Sequence, residues 1–264
     1  MREKRFILII AVFVFLLTFV QGAEAESEEW EFLIAPYGWL AGVDGAVTAK
    51  GVEVDVDKSP SDFFDIVSDI DFVAELHMEA KKGPWIILLD PTYLKVSTDG
   101  KVGPVDADVT TEFALVDIAG LYRFYERPIG ADNSRKLSFD VLAGARYWHL
   151  ESDIDLELRL ERFNLKKDFE ARKDWIDPIL GLRTGVNLTR KLTLWARADI
   201  GGFGVGSDFS WNVSAVLGYD VYRNITLALG YRVLDVNFED GSGDDKTELN
   251  ATLHGPMLGL VFFF

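Results

Sequence analysis

The sequence predicts an all-β chain that closes as an antiparallel transmembrane β-barrel of about ten strands. From Trp30 onward, segments with two-residue alternation of apolar and polar residues recur between turn signals, the pattern of strands and not helices. Compact connections alternate with longer, more charged ones. One inside-outside phase separates apolar from charged positions in most of the segments. Eight or twelve strands would satisfy the same pattern.

Ahead of the strands lie Arg2, Lys4 and Arg5, an apolar stretch from Phe6 to Val20, and the small-x-small site Ala23-Glu24-Ala25. This is the pattern of a cleaved signal peptide over residues 1–25, with a mature chain expected from Glu26 and one barrel domain over 26–264. The apolar run is 15 residues long, short of the roughly 20 that a spanning helix needs. Without cysteine, the chain has neither disulfides nor a lipid-attachment thiol. A net charge of −16 excludes a nucleic-acid binder, which needs Lys and Arg to replace phosphate counterions. Mean hydropathy of only +0.09 with 13% aromatic residues suits a wall in which every second residue meets lipid.

Ten strands are expected, at 30–43, 71–82, 84–98, 106–125, 136–153, 169–188, 191–203, 208–221, 224–238 and 247–264. Lys82-Gly83-Pro84, Leu188-Thr189-Arg190 and Val221-Tyr222-Arg223-Asn224 are tight turns, and 126–135 is long for one. The connections 44–70, 98–104, 154–168 and 239–246 read as longer outer loops, and Gly204 to Gly206 as a short one. Within the irregular loop or plug segment 44–70, Val47-Thr48-Ala49 and Val52-Glu53-Val54 form a small hairpin about Lys50-Gly51. Residues 61–67 read as a capped helical turn.

The phase is set by Phe264, taken as lipid-facing. Phe262, Leu260 and Leu258 then face out, with Gly259, Met257 and Gly255 inside. On the same rule Leu192, Leu194, Ala196, Ala198 and Ile200 point out, against Trp195, Arg197 and Asp199. Charge on the lipid face costs roughly 2–4 kcal/mol at mid-membrane for Lys or Arg, so such segregation is not accidental. The expected lumen network is Glu75, His77, Glu79, Lys81, Asp90, Asp117, Arg123, Asp140, Arg146, Asp177, Arg183, Arg197, Asp199 and Arg232. A barrel of about eight strands is just filled by side chains, so paired charges with Trp148 and Trp195 should close a ten-strand lumen.

Pairing about Gly83 puts His77 beside Asp90, with Glu75 and Glu79 flanking. A carboxylate-held imidazole can orient a general base, but no nucleophile is legible nearby, and a lumen histidine satisfied by its neighbour is the preferred reading. His149 and His254 fall on outward phase near the outer rim, without metal-ligand spacing. The oxygens of the acidic stretch 239–245 could hold a hard cation, but it lacks a full calcium-loop pattern, and a solvated turn is the preferred reading. Arg159, Arg162, Lys166, Lys167, Arg172 and Lys173 form a basic group that could meet lipopolysaccharide phosphates, principally through Lys166, Lys167, Arg172 and Lys173. An ordinary hairpin laced by cross-strand ion pairs with Glu157, Glu161, Asp168 and Glu170 is the competing reading.

The stretches WEFLIAPYGWLAG (Trp30 to Gly42), LAGARYW (Leu142 to Trp148), DPILGLR (Asp177 to Arg183), DIGGFGVGSDFSW (Asp199 to Trp211), LGYRVL (Leu229 to Leu234) and GPMLGL (Gly255 to Leu260) resemble a group of uncharacterised bacterial outer-membrane β-barrel proteins. The likeness spans nearly all of the mature chain and is most specific in GGFGVGSDFSW. It implies the fold and a bacterial outer-membrane location after export through the inner membrane, and it transfers no functional residue. The aromatic last strand looks like the signature read by the barrel-assembly machinery. No helix follows the glycines at 201–206, so they make a hairpin tip and not a phosphate loop.

The expected protein is a monomeric envelope or surface barrel without cofactor or catalysis. Its partners are outer-membrane lipids, lipopolysaccharide and the assembly machinery. A narrow passive channel, porin-like, is the second reading, and an enzyme using His77 the third.

Overall fold

A computed structural model describes residues 29–49, 52–61, 70–102, 105–130, 134–160, 163–241 and 247–264. Twelve strands run in order: β1 (Glu31–Trp39), β2 (Gly42–Ala49), β3 (Val52–Lys58), β4 (Ile70–Lys82), β5 (Trp85–Val102), β6 (Val105–Ile129), β7 (Arg135–Leu160), β8 (Phe163–Asn187), β9 (Leu192–Gly201), β10 (Phe209–Tyr222), β11 (Ile225–Asp240) and β12 (Thr247–Phe263). Sequential antiparallel pairs run from β4 to β12, and β1 joins β4 on one side to β12 on the other, which closes the ring.

β1 and β2 act as one staved strand, because both pair with β12, from Leu33↔Phe263 to Ala49↔Thr247. Between β1 and β2 the ladder breaks at Leu40 and Ala41, where the Leu40 N–H still donates to the Pro256 carbonyl at 3.0 Å. Counted this way the barrel has ten strands, and the β2-β3 hairpin is an extension of one stave. The hairpin expected around Lys50-Gly51 is therefore present, with Val47↔Val54 and Ala49↔Val52 in register. Residues 62–67 of the expected capped turn lie outside the described residues, as does the signal peptide.

Two expected loops are strands. Residues 98–102 and 154–160 continue β5 and β7, in register with β6 and β8 (Asp99↔Asp108, Glu157↔Lys166). The cause is legible after the fact: alternation never stops in Ile154-Asp155-Leu156-Glu157-Leu158, although its charge suggests a loop. β6, β7 and β8 are consequently 25, 26 and 25 residues long. About ten tilted residues cross a membrane, so this wall stands well clear of it, whereas β9 has only ten residues.

The exterior carries a band of exposed apolar side chains, including Ile87, Ile118, Val141, Leu180, Ile200, Val213, Leu229 and Leu258. Aromatics flank it: Trp85 against Tyr122 (centroids 4.8 Å apart) beside the short turns, and Tyr147 and Tyr231 at the opposite end. A lipid-facing apolar band between aromatic girdles on a closed antiparallel ring is the architecture of transmembrane β-barrels of the outer-membrane type.

Above Tyr147 and Tyr231 the polarity reverses. Glu112, Glu151, Arg172 and Asp235 share outward parity there, while Trp39, Leu115, Trp148, Trp175, Leu234, Val236 and Phe238 form a buried cluster inside. The loop end is thus built like a water-soluble barrel, on a lower half built for lipid.

Candidate functional site: the lumen

The fourteen charged or titratable residues expected in the lumen all face it, and they fall into layers. Nearest the short turns, Lys81 donates to Glu31 at 2.8 Å, and Arg123 donates to Glu126 and Asp140, both at 2.8 Å. The next layer joins β4, β7 and β8. Arg183 bonds Asp140 through Nη2 at 2.8 Å and also Glu79, and His77 lies between Glu79 (Nε2, 2.9 Å) and Asp90 (Nδ1, 3.0 Å). With a carboxylate on each ring nitrogen, the imidazole has no open nitrogen with which to act as a base. Glu75 turns to a different partner, the Trp39 backbone N–H.

The central layer is fully buried. Arg146 donates through Nε to Asp117 at 2.7 Å and through Nη2 to Asp199 at 3.0 Å. Arg197 spans the same two carboxylates, each at 2.7 Å. This lattice ties β6, β7 and β9 together. Arg232 on β11 stands at its edge: Nε donates to Asn212 at 2.9 Å, the guanidinium lies 4.8 Å over the Trp39 ring, and Asp117 is 3.8 Å away. Ion pairs that link separate strands make the wall rigid, because removing one member strands a buried charge.

Among the described residues, no cation contacts Asp177. Its acceptors take the Trp148 indole N–H at 2.9 Å, the Ser207 N–H at 2.6 Å, the Ser207 hydroxyl at 2.8 Å and the Ser210 hydroxyl at 3.3 Å. Ser207 in turn accepts the Trp175 indole N–H at 2.9 Å. The glycine-rich tip between β9 and β10 is therefore folded down onto Asp177. Gly206 must be glycine, since a Cβ would sit 2.5 Å from the Ile176 carbonyl oxygen, and Gly202 holds φ +84°. Three of the sequence stretches that carry the resemblance, LAGARYW, DPILGLR and GGFGVGSDFSW, meet at this one carboxylate. Sequence reading counted Asp177 as a lumen charge but had no signal for its partners, which lie up to 33 residues away.

The lumen is closed differently from the expectation. Trp148 meets the charge network only through its N–H bond to Asp177; its ring stacks on Trp175 (5.4 Å), and Trp175 stacks on Phe238 (4.2 Å), closing the loop end with apolar contacts. Trp195 closes nothing, because it lines a cavity of about 330 Å³ that reaches from the Glu31 and Lys81 mouth up to Tyr37 and Arg232. The volume is at the small end of ligand pockets.

The basic group divides. Arg172 and Lys173 sit on opposite faces of β8, so they make no joint site. Arg172 donates to Asp174 at 2.9 Å, and Lys173 donates to Asp240 at 2.6 Å. That bond and the lysine charge hold the exposed Asp240 carboxyl below its usual range. The side chains of Arg159, Arg162, Lys166 and Lys167 lie outside the described residues. Both outward histidines are tied to carboxylates, His149 to Asp174 at 2.7 Å and His254 to Asp44 at 2.8 Å, each beside a rim tyrosine. His149 is nonetheless buried, because its neighbours on the outer face cover it.

No protein-family model and no curated protein matches the sequence. Among solved structures the chain is similar to the translocator domain of autotransporter NalP from Neisseria meningitidis, with 10% identity over 98% of this chain and 97% of that one and a TM-score of 0.43. It is similar also to Ail, the attachment invasion locus protein of Yersinia pestis (11% identity, 90% and 99% covered, TM-score 0.35). A third likeness is to Neisserial surface protein A (14% identity, 89% and 99% covered, TM-score 0.27). At this level of superposition such likenesses say nothing of activity or partner.

Proposed function

We propose that the chain is exported, loses residues 1–25, and works in the bacterial outer membrane as a monomeric, non-conducting envelope protein that presents a rigid, acidic, water-soluble cap outside the cell. The observation that carries this reading is the Trp148-Trp175-Phe238 stack above a paired-charge lattice, an apolar plug across the described part of the loop end. His77 serves the lattice and not catalysis, since both of its nitrogens are engaged. Lipopolysaccharide is the proposed partner of the outer rim. Charge reversal at Lys166 and Lys167 tests that contact through sensitivity to membrane-permeabilising agents, and unchanged sensitivity at normal expression would discard it.

Planar-bilayer recording of the purified barrel decides between this function and a passive channel. A sealed lumen gives no stepwise current across the usual voltage range. Reproducible single-channel steps would establish the channel instead.

A further inference from the structure

The cavity below the seal has two unlike walls. Its charged wall is contributed by β4 to β8 and consists of the paired groups His77, Glu79, Asp90, Arg123, Asp140 and Arg183. The facing wall, from β10, β11, β12 and β1, carries an apolar strip between Glu31 at the mouth and Tyr37, Asn212 and Ser214 at the inner end: Val216, Ala228, Val261, Phe263, Leu33 and Ala35 form one cluster whose inward surface borders the void. Transmembrane barrels keep polar interiors, and an apolar strip left facing water-filled space is unfavourable. From Phe263 to Met257 the strip follows β12 for roughly 20 Å at about 3.3 Å per residue, longer than the ~15 Å hydrocarbon layer of one leaflet.

At the closed end of the strip stands Arg232, 4% exposed. The central lattice contains three guanidiniums, Arg146, Arg197 and Arg232, but two carboxylates, Asp117 and Asp199. Arg146 and Arg197 each bond both. Arg232 keeps only the Asn212 amide within hydrogen-bond distance among the described residues. The other nearby acids are engaged elsewhere, Asp90 by Tyr37 and His77 and Glu75 by the Trp39 N–H. An arginine whose terminal nitrogens have no hydrogen-bonded anion, at the head of an apolar slot that opens at the short-turn end, suits a carboxylate joined to an alkyl chain.

We infer that the lumen is a binding site for a single-chain carboxylic amphiphile of long-chain fatty-acid type, its head on Arg232 and its tail along the β10-β11-β12-β1 wall toward the mouth. The site rests on the sealed loop end, which makes this a dead-ended pocket and not a conduit.

The test uses the full barrel in phosphatidylcholine nanodiscs with palmitate carrying a mid-chain diazirine. After photolysis, peptide mapping should place adducts on inward Ala228 and Val261 as well as on lipid-facing Leu229 and Leu260. Ala228→Phe fills the slot and should cut inward labelling at least tenfold without changing the outward background. Arg232→Gln, which keeps the bond to Asn212, should weaken competition by unlabelled palmitate about tenfold and leave competition by hexadecanol unchanged. Adducts confined to the outer face, or inward labelling indifferent to Ala228→Phe, would overturn the site; equal competition by palmitate and hexadecanol would overturn the role of Arg232. Conductance steps with intact inward labelling would instead remove the sealed-lumen reading alone.

Discussion

Asp177 on β8 and Ser207 in the tip between β9 and β10 are joined twice, by the serine N–H and by its hydroxyl. A loop that would otherwise stand free is thereby part of the lid. Substituting Asp177→Ala leaves the Trp148 indole N–H, the Ser207 N–H and two hydroxyls without their acceptor. Each stranded buried polar group costs about 1–3 kcal/mol. The tip should detach before the barrel unfolds, so limited proteolysis at exposed Phe203 should accelerate at least tenfold while heat-modifiable gel mobility persists.

Arg146 is the most deeply buried arginine of the central lattice, fully enclosed between Asp117 and Asp199. Arg146→Met should destabilise the barrel by about 3–5 kcal/mol in urea unfolding, because Asp117 and Asp199 are left facing each other with less compensation. Adding Asp117→Leu should recover part of the loss, giving a coupling energy of at least about 1 kcal/mol in a double-mutant cycle. Additive losses would show that the lattice does not act as a unit.

Phe238 carries the top of the aromatic stack. Phe238→Ala should cost about 3–5 kcal/mol, and Trp175→Ala combined with it should give current steps in planar bilayers where the parent protein gives none. A silent double variant would place the seal elsewhere.

Leu229 and Tyr231 lie two residues apart on the same outward face of β11. Leu229→Arg, within the apolar band, should destabilise by about 2–4 kcal/mol, and Tyr231→Arg, at its edge, by no more than about 1 kcal/mol. Folding free energies measured into lipid vesicles would locate the membrane boundary directly.

Asp240 titrates below an ordinary carboxylate because Lys173 donates to it. Since its pKa is depressed in the folded state, the contact stabilises the cap above the unfolded-state value, about 3.9, and is lost as pH falls through the lowered one. Carboxyl NMR should record that lower midpoint, and Lys173→Met should raise it toward the usual carboxylate range.

Much of the ring was readable because period-two alternation reports parity, and parity is what a barrel wall needs. Phe264 sets the phase of the last strand, and the separation of apolar from charged positions within each other strand turns Arg197, Asp140 and Glu79 inward. Height along the axis is not encoded in that way. Nothing in the pattern separates Trp148, in the apolar lid, from Trp195, beside the cavity, since both carry inward parity. The charge of 154–160 suggests a loop because inside and outside exchange polarity above Tyr147, and no local pattern marks that height. The partners of Asp177 and the lone position of Arg232 depend on which strands the closed ring brings face to face, and local sequence carries no record of that.

The reversal of polarity along β7 bears on how the strand finds its pairing. A slip by one residue would turn Asp140 and Arg146 toward lipid and, higher up the same strand, Trp148 toward water. The two halves would fail together, from opposite causes, so neither solvent can reward a misaligned hairpin. The longest strands of the protein, which have the most registers to choose among, are in this way proofread twice.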